Sequence, residues 1–147
     1  MDIRTLDLTD IGVAVLIHEL MQEAYKQEAQ MLGVKRFPPL ERSADEITSE
    51  NGIFYGMFRE GVLAGVLHFN QGNIDTLVVK PAYQGHGIAS RLMDRLLSAV
   101  GNEVITVSTA EANTRAVSLY KKLGFKQESL KQKSGIPIVN FVRSPRS

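Results

Sequence analysis

Val79-Lys80-Pro81-Ala82-Tyr83-Gln84-Gly85-His86-Gly87-Ile88-Ala89-Ser90 runs from a β-branched strand through a short glycine loop directly into a helix. The strand side is Ile74 to Lys80, apolar towards its end. The helix side places Ile88, Ala89, Leu92, Met93, Leu96, Leu97 and Val100 on one face and Arg91, Asp94, Arg95 and Ser98 on the other, and Gly101 marks its end. Such a loop presents several backbone N–H groups together with the positive end of a helix dipole, which suits an anion. Gly85 and Gly87 allow the backbone to approach a bulky phosphate with no Cβ in the way. Two glycines before a helix also describe a plain turn, so the meaning of the stretch rests on its surroundings.

Those surroundings exclude the two commonest nucleotide loops. A P-loop needs Gly-Lys and then Ser or Thr after its glycines, and none follows Gly87. The dinucleotide fingerprint puts a third glycine where Ser90 stands, although small residues are tolerated there, and it opens with a parallel βαβ unit. Here the strand follows a hairpin instead: Gly52–Arg59 and Val62–Phe69 are strand-like runs joined by Glu60-Gly61.

Upstream, residues 3–6 form a short candidate strand. Thr9 or Asp10 caps a helix running through Ile11, Leu16, Leu20 and Ala24 to near Gly33, and the prolines of Phe37-Pro38-Pro39-Leu40 bar its continuation. Ser43 and Glu46 have capping-box spacing for a second helix over 43–50. Downstream, residues 103–108 read as a strand, and Asn113 or Thr114 caps a helix ending in Lys121-Lys122-Leu123-Gly124. Residues 125–130 and 136–142 read as two closing strands, with Pro137 marking an edge or a strand start. The order is strand, two helices, three strands, helix, strand, helix, two strands. That is a mixed α/β chain, and its 147 residues suit a single domain over 1–147.

Composition narrows the function classes. Hydrophobic residues at 44% and charged residues at 22% rule out overall disorder. The absence of cysteine removes thiolate metal sites and cysteine nucleophiles, and His18, His68 and His86 lack metal-ligand spacing, so no metal is expected. The start lacks a basic region before an apolar stretch, and no apolar run approaches the ~20 residues of a membrane span, so a cytoplasmic protein is expected. Charge is uneven: residues 1–50 hold five basic and ten acidic residues, whereas 51–147 hold twelve and six. A basic second half suits a polyanionic ligand, but the charge is too diffuse for nucleic acid.

Gln84-Gly85-His86-Gly87-Ile88-Ala89 matches Gln/Arg-x-x-Gly-x-Gly/Ala after Val-x-Pro, and downstream stand Asn113, Ala116, Tyr120 and Leu123-Gly124-Phe125. Together these resemble the GNAT superfamily of acyl-CoA N-acyltransferases over about residues 74–126. The resemblance implies a central mixed, mostly antiparallel sheet of about six to seven strands flanked by about four helices. It also implies attack of an amine on the thioester of acetyl-CoA, a cosubstrate, with a small-molecule or protein amine as acceptor. A homodimer is compatible with it. An unpaired N–H of Leu77, Val78 or Val79 would hold the oxyanion, and amides from Gln84 to Ser90 (Gly85, His86, Gly87, Ile88 and Ala89 between them) would hold the pyrophosphate. Asn113 would contact the pantetheine or adenosyl arm, Ala116 would leave room for it, and Tyr120 would protonate the departing sulfur. A catalytically silent acyl-CoA sensor or interaction domain is the alternative reading.

Several residues carry plainer expectations. His86 is read as a permissive loop residue, His68 as a satisfied sheet residue, and Met21 and Met31 as core filler. Lys122 is explained by its place at a helix C-terminus. The general base is open among Asp75, Glu28 and a water relay. Glu19, Glu23, Glu28 and Glu41, with Phe37 as an apolar or cation–π wall, would draw a protonated amine to the acceptor side.

Overall fold

Capping and turn chemistry set most element boundaries in the computed structural model, which describes residues 2–145. The elements are β1 (Asp2–Thr5), α1 (Ile11–Leu32), α2 (Ala44–Thr48), β2 (Ile53–Arg59), β3 (Val62–Asn70), β4 (Asn73–Val79), α3 (Ile88–Val100), β5 (Ile105–Ala110), α4 (Thr114–Lys122), β6 (Lys126–Lys133) and β7 (Ile136–Arg143). Asp10 caps α1 by accepting from the Gly12 N–H at 2.9 Å, and Gly33 ends it in the left-handed conformation. Ser43 caps α2 at the Glu46 N–H, but α2 stops at Thr48, short of the expected Glu50. Glu60 and Gly61 both have positive φ, the requirement of the tight turn that joins twisted strands β2 and β3.

The strands form one sheet in the order β1-β2-β3-β4-β5-β7-β6. Every neighbouring pair is antiparallel except β4–β5. With four α-helices, this is the mixed α/β architecture expected from the sequence. Because β7 lies inside the sheet between β5 and β6, Pro137 marks a strand start and not an edge.

Both faces of the sheet are covered. Ala14, Ile17, Leu20 and Met21 of α1 and Ile47 of α2 pack on Phe54, Val66 and Val78. On the other face Ile88, Leu92, Met93 and Leu96 of α3 pack with Ile105, Tyr120 and Phe141. Each fully buried side chain of this size contributes roughly 1.5–3 kcal/mol. Coverage on both faces explains why β3 is buried from Leu63 to Phe69 without polar alternation.

Gly65 lets α3 sit close to the sheet, since a Cβ there would lie 2.6 Å from Cγ2 of Ile88 and 3.2 Å from Cδ1 of Leu92. Gly65→Val is therefore expected to destabilise the fold by about 1–3 kcal/mol through overpacking. A denaturant melt at unchanged m-value checks this. A variant as stable as the parent would mean that α3 shifts freely.

One bulge opens the sheet. His68 pairs with Thr76 and Phe69 with Ile74, so Asp75 is an extra residue in β4. The parallel pairing of β4 with β5 is confined to Asn73↔Thr106 and Ile74↔Val107, and it ends where the bulge begins. Beyond that point the facing edges of the two strands are free.

Candidate active site

The gap between β4 and β5 is a cavity of about 790 Å³. Residues 74–78 and 107–110 form its two strand walls, α1 contributes Tyr25 and Glu28, and α4 contributes Ala116 and Tyr120. Phe37, Pro38 and Pro39 and the turn between β6 and β7 enclose the other side. A second recess of about 370 Å³ shares Glu28, Leu77, Val78 and Asn113 with it and extends along Val79 to Gln84 and Arg115.

Backbone direction follows from one hydrogen bond. The Lys80 N–H donates to the Ala64 carbonyl of β3 at 2.7 Å. Strand alternation then turns the amides of Leu77 and Val79 away from β3 and towards the open side, and that of Val78 towards β3. The Val78 side chain is buried against α1. At the far end, the first intrahelical bond of α3 runs from the Arg91 N–H to the Gly87 carbonyl, 3.1 Å. The N–H groups of Ile88, Ala89 and Ser90 consequently have no helical acceptor, and no side chain caps them. Gly85 and Gly87 have φ of 83° and 76°, and a Cβ on either would meet no atom within 4 Å. The left-handed backbone calls for glycine there. His86 is exposed, whereas the buried Ile88 side chain anchors the loop.

Tyr120 is 4% exposed, its ring tilted against Phe125 and Phe141 with centroids 5.6 and 6.0 Å away. Burial pushes its phenol pKa well above the usual tyrosine range, and the nearby Tyr25 and Glu28 add to the effect. Burial likewise raises the Glu28 carboxyl, opposed by the Asn113 side chain, and raises Tyr25, opposed by a hydrogen bond with Thr76. Asn113 caps α4, its Oδ1 accepting from the Ala116 N–H at 3.2 Å. Among the described residues, no group of three or more His, Asp or Glu is placed to hold a metal, and no helix is long and apolar enough to cross a membrane.

The structure separates the acidic residues expected on the acceptor side. Glu28 and Glu41 line the cavity, joined by Glu46 and Asp75. Glu19 is exposed on another face of α1, and Glu23 is paired with Lys80 at 2.9 Å. Glu41 is held by the exposed Arg36, and Arg42 by Glu50. Met21 is buried as expected, but Met31 is 52% exposed and lines the smaller recess, because the last turn of α1 projects past the core. His68 is only half satisfied: Nε2 meets the Asn51 carbonyl at 2.6 Å while Nδ1 is buried without a hydrogen bond.

Other cavity residues escape a sequence reading. Tyr25 lies three residues before Glu28 and so on the same helix face, a signal that was available. Gln84 bridges two helices: its Oε1 accepts from Arg115 Nη1 at 3.0 Å and its Nε2 donates to Gln27 Oε1 at 2.7 Å. Lys133 and Ser134 reach the cavity from a distant hairpin, which no local pattern announces.

Among the described residues, the sheet opens beside its one parallel pair, with the amides of Leu77 and Val79 turned to the opening and the buried Tyr120 inside it. The chain belongs to the GNAT acetyltransferase family: residues 14–144 match the model described as an acetyltransferase (GNAT) domain. It is 27% identical over 138 residues to the N-alpha-acetyltransferase RimI of Mycobacterium tuberculosis, covering 88% of this chain and 87% of that one. It is 33% identical over 129 residues to the UPF0157 protein YqkA of Bacillus subtilis, covering 84% of this chain but spanning only 38% of that longer protein. Among solved structures, the PaiA N-acetyltransferase of Thermoplasma acidophilum in complex with coenzyme A superposes with a TM-score of 0.68 at 21% identity, covering 98% of this chain and 99% of that one.

Proposed function

We propose that the protein transfers an acetyl group from acetyl-CoA to a primary amine by direct attack on the thioester. The observation that carries this reading is the free edge of β4. The amides of Leu77 and Val79 face a cleft that runs from Tyr120 to Gln84, at the beginning of the loop that leads into the uncapped start of α3. The coenzyme A complex of PaiA and the N-alpha-acetyltransferase activity named for RimI support the donor and the reaction class.

Each part has a physical role. Amides at the start of α3, aided by the helix dipole, would hold the pyrophosphate. The N–H of Leu77 or Val79 would polarise the thioester carbonyl and stabilise the oxyanion that forms on attack. Tyr120, kept protonated by burial, would give its proton to the leaving thiolate. Ala116 leaves the cavity open beside it, and Asn113 fixes the start of α4.

The acceptor side favours a cation. Glu28, Glu46 and Asp75 line the cavity against Lys133, while Glu41 is engaged by Arg36 and Arg42 by Glu50. Phe37, packed edge-on against Tyr25 at 5.8 Å, supplies an aromatic wall worth about 0.5–2 kcal/mol to a desolvated cation. Free-thiol release from acetyl-CoA with a pooled library of polyamines, lysine peptides and peptide N-termini tests the assignment. Efficiency is expected to rise with acceptor charge and to fall with added salt. Best acceptors that are anionic would overturn the electrostatic part, and release with no amine at all would overturn the transferase reading.

A further inference from the structure

The His68 imidazole is fully buried, stacked on Phe54 with ring centroids 4.0 Å apart and 14° between planes. Its Nε2 lies 2.6 Å from the Asn51 carbonyl, and a carbonyl only accepts, so Nε2 carries the hydrogen. The neutral ring therefore turns the bare lone pair of Nδ1 towards Asp75, whose Oδ2 is 3.7 Å away. No other polar atom satisfies Nδ1. A lone pair facing a carboxylate in a buried setting is an unfavourable contact that one added proton converts into an attractive one.

Asp75 connects this buried nitrogen to the cavity. It is the bulge residue of β4, its side chain is 34% exposed, and it lines the acceptor side. Its Oδ1 is steadied by the Asn73 side-chain amide at 2.6 Å. Glu46 and Lys133 line the same cavity as Asp75. Arg42 is held by Glu50, and Thr76 pairs with His68 across the strands.

We propose that Asp75 accepts the proton of the incoming ammonium and that His68, behind it, is the positioning residue that makes this acceptance favourable. The proposal rests on the transferase reading above. In the step, an N–H bond of the ammonium breaks and its proton moves to the Asp75 carboxylate, leaving the nitrogen lone pair free to attack. The protonated Asp75 closes the 3.7 Å gap to donate a hydrogen bond to His68 Nδ1, and the proton leaves to solvent through Asp75 after the amide has formed. Burial keeps the His68 pKa below the ordinary histidine value, so at neutral pH the ring is neutral and its Nδ1 is bare.

Imidazole nitrogen spectra of the ¹⁵N-labelled protein test the pair without any turnover. His68→Gln identifies the His68 signals against those of His18 and His86 and retains a donor for Asn51. A neutral Nε2–H tautomer is expected at pH 7.5. Its protonation midpoint should fall by roughly one unit in Asp75→Asn, because the carboxylate stabilises the imidazolium. An Nδ1–H tautomer, or a midpoint unmoved by Asp75→Asn, overturns the proposal. The second arm uses the amines of the library above. His68→Gln should lower kcat/KM for the amine about tenfold at pH 7 and move the acid limb of its profile to lower pH. The KM for acetyl-CoA should stay unchanged. A parent-like pH profile in the variant means that His68 only packs. Failure of every amine with the parent protein counts against the transferase reading, while the spectra still decide the pair.

Discussion

Tyr120→Phe is expected to leave coenzyme A binding and the fold unchanged while lowering kcat by about 10²–10⁴-fold, the usual worth of general acid catalysis. The ring is what packs on Phe125 and Phe141, and phenylalanine keeps it. The change removes only a hydroxyl on the side of Tyr25 and Glu28. The raised phenol pKa also fixes the sign of the pH dependence. A group whose pKa burial lifts keeps its proton across the neutral and mildly alkaline range, so loss of the acid form should not limit the rate below the ordinary tyrosine pKa of about 10. Single-turnover rates with saturating acetyl-CoA, measured for both proteins across pH 6–10, check both statements. Equal rates would make Tyr120 a core residue and no more.

Gly87→Val should act on the other half of the reaction. Its φ of 76° is costly for a β-branched residue, about 1–3 kcal/mol, and the added Cβ would project into the empty side of the loop and not into the protein. The loop can relieve that strain only by turning, which moves the N–H groups of Ile88 and Ala89 away from their present directions. Losing one charge-assisted hydrogen bond to phosphate costs roughly 1.5–3 kcal/mol, or a ten- to hundredfold rise in Kd. Calorimetry with coenzyme A, alongside a thermal melt to show that the variant is folded, reads this directly. Unchanged affinity in a folded variant would remove the loop from the ligand site.

The fold was legible where a local chemical signal exists. Asp10, Ser43 and Asn113 cap their helices, Gly33 and Gly101 end theirs, and Glu60-Gly61 turns the hairpin. The bulge at Asp75 was not legible, because an extra residue in a strand is defined only against its partner, here His68 and Phe69 of β3. The same gap hid the state of His68: with β3 buried on both faces, no alternation indicates what a histidine there meets. The insertion of β7 between β5 and β6 is likewise non-local, and it is what carries Lys133 and Ser134 to the cavity. Met31 was misread because apolar periodicity continues along α1 beyond the point where the sheet beneath it ends.

The two ends of the cleft are made of different material. In the proposed reading, main-chain amides of β4 and of the α3 start form the donor end, and among single substitutions only one to proline deletes a main-chain N–H. The proposed acceptor end is made of side chains, some on regular elements (Tyr25, Glu28, Glu46, Asp75) and others on connecting segments: Phe37, Glu41 and Arg42 before α2, and Lys133 and Ser134 at the β6–β7 turn. The first of these segments is suspended from α1 by Gln22, which donates to the Leu40 carbonyl, and by His18 beside the Arg42 carbonyl. Its exposed side chains can change without disturbing those tethers. If the proposed reading holds, variation should therefore drift unequally across the molecule, with the main-chain donor end tolerating most substitutions and the side-chain acceptor end changing its amine by single ones.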